Sequence, residues 1–368
     1  MKVLHLASDD AWGGAERALL LIVDGTRTQP GVEVSVLLFN EGALGHALRE
    51  RGVPVTVLPE RTASFLGLVR ALRRHLEAMG IDVVHAHRYK EILLAALAHP
   101  RRCRFVVTVH GLEPWRQAGL AATLRTWCCL AVARARGARF AAVSGELARR
   151  LARRLGPGRV SRIPNPIAPR PHAEGAPDLR ARCGWPAERP LVGFVGRLEI
   201  VKGPDRLLDV AQLGPCAAGF VLLGSGSLAN ALAQRVAEQD LSERVSLLGE
   251  VPDAAALLPQ LDVLAMTSRH EGLPMVLLEA AAAGVPVVAY DVGGVRELLD
   301  GGPAARCVAD GDAAGFAAAL AEVLTDREAS RAAAAAWGAS VGERFGAART
   351  RAAYLTLYRG GTPSQGTT

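Results

Sequence analysis

The stretch that most constrains this chain is 261–290. An apolar run at 261–266 reads as a buried strand and is followed by the polar turn Thr267-Ser268-Arg269-His270. Then come Glu271-Gly-Leu-Pro-Met-Val-Leu-Leu-Glu279 and an Ala-rich run that Gly284 and Pro286 bring to a stop. Proline suits a first helical position and glycine the residue just past the last turn, so the spacing predicts a helix over 274–283. Glu271 then sits in the loop before that helix, where unpaired N–H groups and the positive end of the macrodipole attract anions. Gly272 lets the backbone approach a ligand closely, and Glu279, more than a turn inside the helix, can project beside the same crevice. Two carboxylates are thus offered to a hydroxyl-rich ligand, with amides between them for a phosphate or sugar oxygen. Each charge-assisted hydrogen bond of this kind contributes roughly 1.5–3 kcal/mol. Among 36 acidic residues, a solvated pair flanking a helix has the same spacing. The Gly-Pro entry, the Gly-Val-Pro exit, the second strand at 287–290 and Gly293-Gly294 favour a site.

At 368 residues the chain is long enough for two ordinary domains. Aromatics are only 5% of residues, so the cores must be built from Ala, Val and Leu. Cys103, Cys128, Cys129, Cys183, Cys216 and Cys307 show no paired metal spacing, and reduced thiols in a cytosolic protein are expected. Neither a signal peptide nor an uncharged membrane-spanning stretch is evident. Charge is divided unevenly: residues 1–180 carry 27 Lys and Arg against 15 Asp and Glu, and the remainder 16 against 21. An anionic surface or substrate facing the first half would account for the excess, and so would an Arg-rich composition without clustering.

Short apolar strands are expected at 3–7, 33–39, 54–58, 83–85, 105–109 and 140–143, alternating with helices. Such alternation argues for a parallel sheet wound on both faces, with ligands at the carboxyl ends of its strands. The turn at 8–14 with Gly13-Gly14, leading into a helix at 15–24, lacks the G-x-G-x-x-G spacing and is a weak dinucleotide signal. His85 and His87 follow one strand and Thr108-Val-His110-Gly111 another. A helix over 61–79 places Phe65, Val69, Leu72 and Leu76 on one face and arginines on the other, which fits packing on the sheet or lying on anionic lipid. Few aromatics interleave with the arginines, which argues against a nucleic-acid surface. Ile163-Pro-Asn-Pro-Ile-Ala-Pro169 breaks all periodicity and marks a linker. After a strand at 191–195, Gly196-Arg-Leu-Glu-Ile-Val-Lys-Gly203 brings Arg197 and Lys202 to a helix N-terminus. Cations do not satisfy the macrodipole there, so a bound anion is the simplest explanation.

The run EGLPMVLLEAAAAGVPVVAYDVGGVREL resembles the E-x7-E signature of retaining glycosyltransferases of family 4. Residues 196–203 resemble the same family's G-R-x4-K-G element, and the likeness extends over nearly the whole chain. It implies an α/β GT-B fold, two doubly wound Rossmann-like domains facing a deep cleft. An acceptor-side domain would span 1–168, a linker 169–188, a nucleotide-sugar-binding domain 189–342, a helix crossing back 343–360 and a flexible tail 361–368. By resemblance, Glu271 contacts the donor sugar and Glu279 the ribose, with Gly272 and Leu273 beside them. Arg197 and Lys202 hold the donor phosphates, Gly13 and Gly14 lie against the diphosphate, and His110 lies beside the reacting sugar. His85 and His87 remain structural or acceptor-side. The nucleotide base would lie near 245–252.

The implied reaction moves a sugar from a nucleoside diphosphate, UDP in preference to GDP, to a hydroxyl with retained configuration, in cell-surface polysaccharide or glycolipid synthesis. No Asp-x-Asp motif stands at a strand end and a basic pair can replace a divalent cation, so no metal and no cofactor beyond the nucleotide-sugar co-substrate is expected. The expected partners are that donor and a hydroxyl acceptor, lipid-linked if the basic first half faces the inner surface of the cell membrane; no nucleic acid is expected. A sugar-nucleotide epimerase on a similar fold and a non-catalytic nucleotide-sugar-binding subunit remain as alternatives.

Overall fold

A computed structural model describes all residues except 10–11, 113–114, 168–176, 216, 252, 300–303 and 364–368, with backbone alone at 62 and 115–118. The chain divides into two compact units, Met1–Pro166 with Ala347–Thr368, and Ile167–Gly346. In the first, seven parallel strands, β1 (Lys2–Ala7), β2 (Glu33–Leu38), β3 (Val55–Val57), β4 (Val83–Ala86), β5 (Arg104–Val109), β6 (Arg139–Ala142) and β7 (Val160–Arg162), lie in the order β3-β2-β1-β4-β5-β6-β7. Their connections are α1 (Gly14–Arg27), α2 (Ala43–Glu50), α3 (Phe65–Ala78), α4 (Tyr89–Ala98), α5 (Trp115–Ala135) and α6 (Gly145–Leu155). Strands such as Phe105-Val-Val-Thr-Val109 are buried along their whole length because helices cover both faces of a parallel sheet.

The second unit opens with α7 (Leu179–Arg182) and β8 (Leu191–Val195), followed by α8 (Pro204–Leu213), β9 (Gly219–Leu223), α9 (Ala229–Glu238) and β10 (Val245–Gly249). It continues through β11 (Val263–Met266), α10 (Met275–Ala282), β12 (Val287–Tyr290), α11 (Val295–Leu299), β13 (Ala305–Val308), α12 (Ala313–Thr325) and α13 (Arg327–Phe345). The six parallel strands run β10-β9-β8-β11-β12-β13. Strand order therefore reverses between β1 and β4 in the first unit and between β8 and β11 in the second. At such a reversal adjacent loops leave toward opposite faces and open a crevice at the carboxyl ends.

The last helix, α14 (Ala347–Tyr358), belongs to the first unit. Tyr354, Leu355, Leu357 and Tyr358 join β1, β2 and β4 in one apolar core, and Thr350 Oγ1 donates to the Pro164 carbonyl. The element expected over 343–360 is thus two helices that part at Gly346, the first of them ending the second unit.

Several boundaries differ from expectation. Pro274 is the N-cap of α10, with extended ψ of 123°, one place before the first helical position assigned to it. The expected linker 169–188 is not a linker throughout: α7 is helical, capped by Asp178, and Leu179 is fully buried. Arg180 pairs there with Asp262 at 2.6 Å. Residues 169–176 of that linker, the tail beyond 363 and Cys216 lie outside the described residues, and the other five cysteines are free. In α3 the buried stripe is Leu68, Leu72 and Leu76, while Phe65 is 43% exposed. Strands β7 and β13 went unpredicted, being short and interrupted by Arg, Ser or Cys.

Candidate active site

In the second unit the loops after β8 and β11 meet at the strand-order reversal. Gly203 caps α8 in the left-handed region, at φ 65°. Its carbonyl accepts from Thr267 Oγ1 at 2.7 Å, and a Cβ at 203 would stand 2.1 Å from the Thr267 carbonyl oxygen. Only glycine lets the two loops approach this closely. Arg269 reinforces the junction, donating to the Ile200 carbonyl at 2.8 Å and in bidentate fashion to Asp205. Burial would raise the Asp205 carboxyl, but the Arg269 guanidinium outweighs it and holds the group below its ordinary value.

On this junction Lys202 Nζ donates to Glu271 Oε1 at 2.7 Å, and Ser268 Oγ donates to the same oxygen at 2.7 Å. Glu271 is 9% exposed, and its Oε2 has no hydrogen-bond partner among the described residues. One carboxylate oxygen is thus fixed while the other remains to accept from a ligand hydroxyl. An ammonium has three donors, so Lys202 keeps capacity for an anion. Arg197 is exposed in the loop after β8. Glu199 in the same loop accepts from Ser227 N at 2.9 Å and Oγ at 2.7 Å, which fixes the loop's course. Gly272 is half-buried, Leu273 buried, and Glu279 is 9% exposed in the second turn of α10. The turn after β12 approaches from the other side. Gly293 has φ 57°, and a Cβ there would lie 1.8 Å from the Glu271 carbonyl oxygen.

In the first unit Gly13 is the extended N-cap of α1 and Gly14 its exposed first residue. A Cβ at Gly13 would meet only Glu16 Oε2, at 3.3 Å, so the fold itself hardly requires glycine there. Glu16 pairs with Arg88, across the β1 to β4 reversal. Burial raises the Glu16 carboxyl, and Arg88 partly offsets that. His5 and His85, in register on β1 and β4, stand under α14. His85 hydrogen-bonds Tyr358 Oη at 2.8 Å and Thr108 Oγ1 at 2.7 Å, and Thr108 meets Tyr354 Oη at 2.9 Å. His5 Nε2 meets Tyr358 Oη at 3.5 Å, His5 Nδ1 meets His87 Nε2 at 3.1 Å, and His87 Nδ1 meets His110 Nε2 at 3.3 Å. The nitrogens of His5, His85 and His87 cluster within 4.8 Å of one another, and each already has a hydrogen-bond partner. The cluster is therefore a hydrogen-bonded relay, in which the tautomer of one ring sets that of the next.

Burial lowers all four rings, His5 to about 3 and His110, with Arg88 nearby, to about 4. They are neutral at physiological pH. His110, half-buried, lines a cavity of about 640 Å³ with His87, Tyr89 and Trp127. His85 is wholly internal, whereas His87 reaches that cavity. Sequence reasoning missed Ser268, whose partner Glu271 is only three residues on, and Thr267, Asp205 and the two tyrosines, whose partners are distant in the chain. The polar turn at 267–270 was the available signal for the first two.

Two parallel α/β units with ligand-ready loops at both strand-order reversals define a protein of the GT-B class. Solved structures agree: HepE from Anabaena in complex with UDP has a TM-score of 0.82 at 24% identity, over 98% of this chain and 100% of that one. HepE with UDP-glucose gives 0.84 at 23% identity, with the same coverage. The Glycosyltransferase Family 4 model matches residues 12–170, and the Glycosyl transferases group 1 model residues 176–337. The chain belongs to this glycosyltransferase family. It is 33% identical to a 2-deoxystreptamine N-acetyl-D-glucosaminyltransferase of Streptomyces fradiae, over 50% of this chain and 44% of that protein. It is 32% identical to a D-inositol 3-phosphate glycosyltransferase of Xylanimonas cellulosilytica, over 49% and 44%. The matches thus span less than half the length of these curated relatives. Among the described residues, no helix is long and apolar enough to cross a membrane.

Proposed function

We propose that the protein is a retaining glycosyltransferase that moves a sugar from a nucleoside diphosphate, UDP in preference to GDP, to a hydroxyl. The observation that carries this is the Lys202–Glu271–Ser268 arrangement at the β8 to β11 reversal, which offers a cation and a half-satisfied carboxylate side by side. HepE, of like fold, was solved with UDP and with UDP-glucose, which supports the choice of nucleotide. Lys202 and Arg197 neutralise the diphosphate where charge develops on departure. Glu271 Oε2 accepts from a sugar hydroxyl, Glu279 from the ribose, and the backbone at Gly272 and Leu273 donates to phosphate or sugar oxygen. In the first unit His110, kept neutral, hydrogen-bonds the sugar without adding charge, and Gly13 and Gly14 admit the diphosphate to the start of α1.

In the reaction the bond from the anomeric carbon to the β-phosphate oxygen breaks and a bond to the acceptor oxygen forms. The acceptor's proton leaves with the nucleoside diphosphate. The cationic pair takes the part a divalent metal would otherwise play. The acceptor belongs to cell-surface polysaccharide or glycolipid synthesis, and the basic first unit meets anionic membrane lipid.

A thermal-shift panel of nucleotide sugars followed by a transfer assay tests this reading. A matching UDP-sugar raises the melting temperature by mass action, and adding acceptor releases UDP with anomeric configuration retained in the product. Isomerisation of the donor without any acceptor would instead identify an epimerase, and binding without turnover a non-catalytic subunit.

A further inference from the structure

The cavity beside His110 has a one-sided charge. Arg88, Arg125, Arg150, Arg153 and Arg154 line it, and among the described lining residues there is no Asp or Glu. Arg88 is neutralised by Glu16, and Arg150 lies 3.9 Å from Glu146. Arg125, Arg153 and Arg154 pair with no carboxylate among the described residues. Two of them are held by rings instead: Arg125 stands 4.5 Å over Tyr89 and Arg154 4.4 Å over Trp127. Stacking fixes a guanidinium plane but leaves its charge and its N–H edges available.

Local explanations cover only part of this. Arg153 and Arg154 fall in the last turn of α6, where cations complement the macrodipole. Arg125 comes from α5 and has no such reason to face them. In α6 the sequence Leu-Ala-Arg-Arg-Leu-Ala-Arg-Arg-Leu buries Leu147, Leu151 and Leu155, so its arginines are set on the remaining surface. Three uncompensated guanidiniums from two helices, beside apolar Ile92 and Leu130, make a site for an anion attached to a less polar body.

We propose that this cavity takes an acceptor bearing a phosphoester group, clasped by Arg125, Arg153 and Arg154, with the acceptor hydroxyl near His110. The proposal rests on the transferase reading and names its acceptor class. A soluble sugar phosphate and a lipid phosphate headgroup share the required chemistry.

Titration calorimetry in saturating UDP, which occupies the phosphate-binding groups of the second unit, separates the cases. The probes are glucose 1-phosphate against glucose, and dodecyl phosphate against neutral dodecyl maltoside. At least one phosphorylated probe binds about tenfold or more tighter than its neutral counterpart, less tightly as salt rises. That preference falls by about tenfold in Arg153→Gln/Arg154→Gln and in the independent variant Arg125→Gln. Binding of glucose 1-phosphate assigns a soluble acceptor, and binding of dodecyl phosphate alone a lipid one. Equal binding of neutral and phosphorylated probes, or binding indifferent to both sets of substitutions, overturns the proposal. The stabilisation by UDP is the same in wild type and variants. Its absence from wild type would count against the donor reading, while the phosphate preference would still judge the cavity.

Discussion

At the scale of single residues, the chemistry depends on polar groups whose protonation is fixed by their surroundings. Four imidazoles sit in one relay, three buried and His110 half-buried, and desolvation keeps each neutral. Histidine-selective NMR should show His5 and His110 neutral from pH 7.5 down to pH 5, whereas an unperturbed ring titrates near 6.5. Half-protonation of His110 near pH 6 would contradict the burial argument. The sign of the stability effect follows. Below about 6.5 the unfolded chain takes up protons that the folded rings refuse, so the relay's contribution is full above that pH. It falls with acidification by about 1.4 kcal/mol per pH unit for each ring, until the folded value is reached. The raised carboxyl groups of Glu16 and Glu91 act in the opposite sense. Glycine supplies a second residue-scale contrast. Gly13→Ala should still fold, since its Cβ would meet only the Glu16 carboxylate, at 3.3 Å, and a small shift of that side chain relieves the contact, but it should weaken donor binding if the diphosphate approaches that backbone. Gly293→Ala should lower both stability and turnover, because its Cβ would fall 1.8 Å from the Glu271 carbonyl oxygen. Melting curves with and without UDP distinguish the two, and unchanged UDP stabilisation in Gly13→Ala would remove Gly13 from the site.

At the scale of elements, the strands and loops that position the site were largely legible. The Gly272 to Pro274 entry and the stop at Gly284 bracket α10 to within a residue or so, because glycine and proline act locally. The tie between Gly203 and Thr267 was not legible, since it joins loops after two strands that become neighbours only in the sheet. The same holds for α14. The family resemblance implied a helix there, but nothing in Tyr354 or Tyr358 named His85 and Thr108 as partners. Strands β7 and β13 escaped because pairing with a neighbour, more than composition, makes so short a segment a strand. Removing 347–368 should therefore unfold the first unit selectively. It deletes four core side chains, each large truncation costing about 2–5 kcal/mol, against a typical total stability of about 5–15 kcal/mol. Circular dichroism and heteronuclear spectra of the truncated chain check this, and a native-like first unit would refute it. Tyr358→Phe is the milder probe. Loss of its hydrogen bonds to His85 and His5 should cost about 1–3 kcal/mol, measured by urea unfolding.

At the scale of the whole molecule, each unit carries a crevice where its strand order reverses, and the two differ in charge. The first half of the chain holds the basic excess and the Arg-lined cavity, while the second holds the carboxylates at 271 and 279. That division suits a first unit that receives an anionic acceptor and a second that grips a donor by both its phosphates and its sugar. If the basic pair stands in for a divalent ion, transfer should persist in excess EDTA, and loss of turnover restored by added magnesium would contradict that. The most direct test is donor affinity and turnover in Arg197→Gln/Lys202→Gln, measured beside wild type by calorimetry with UDP and by UDP release. With each charge-assisted contact contributing roughly 1.5–3 kcal/mol, the account predicts at least about a hundredfold loss in both, with the free protein still folded although its melting temperature falls with loss of the Lys202–Glu271 pair. Wild-type affinity and turnover in that variant would contradict it.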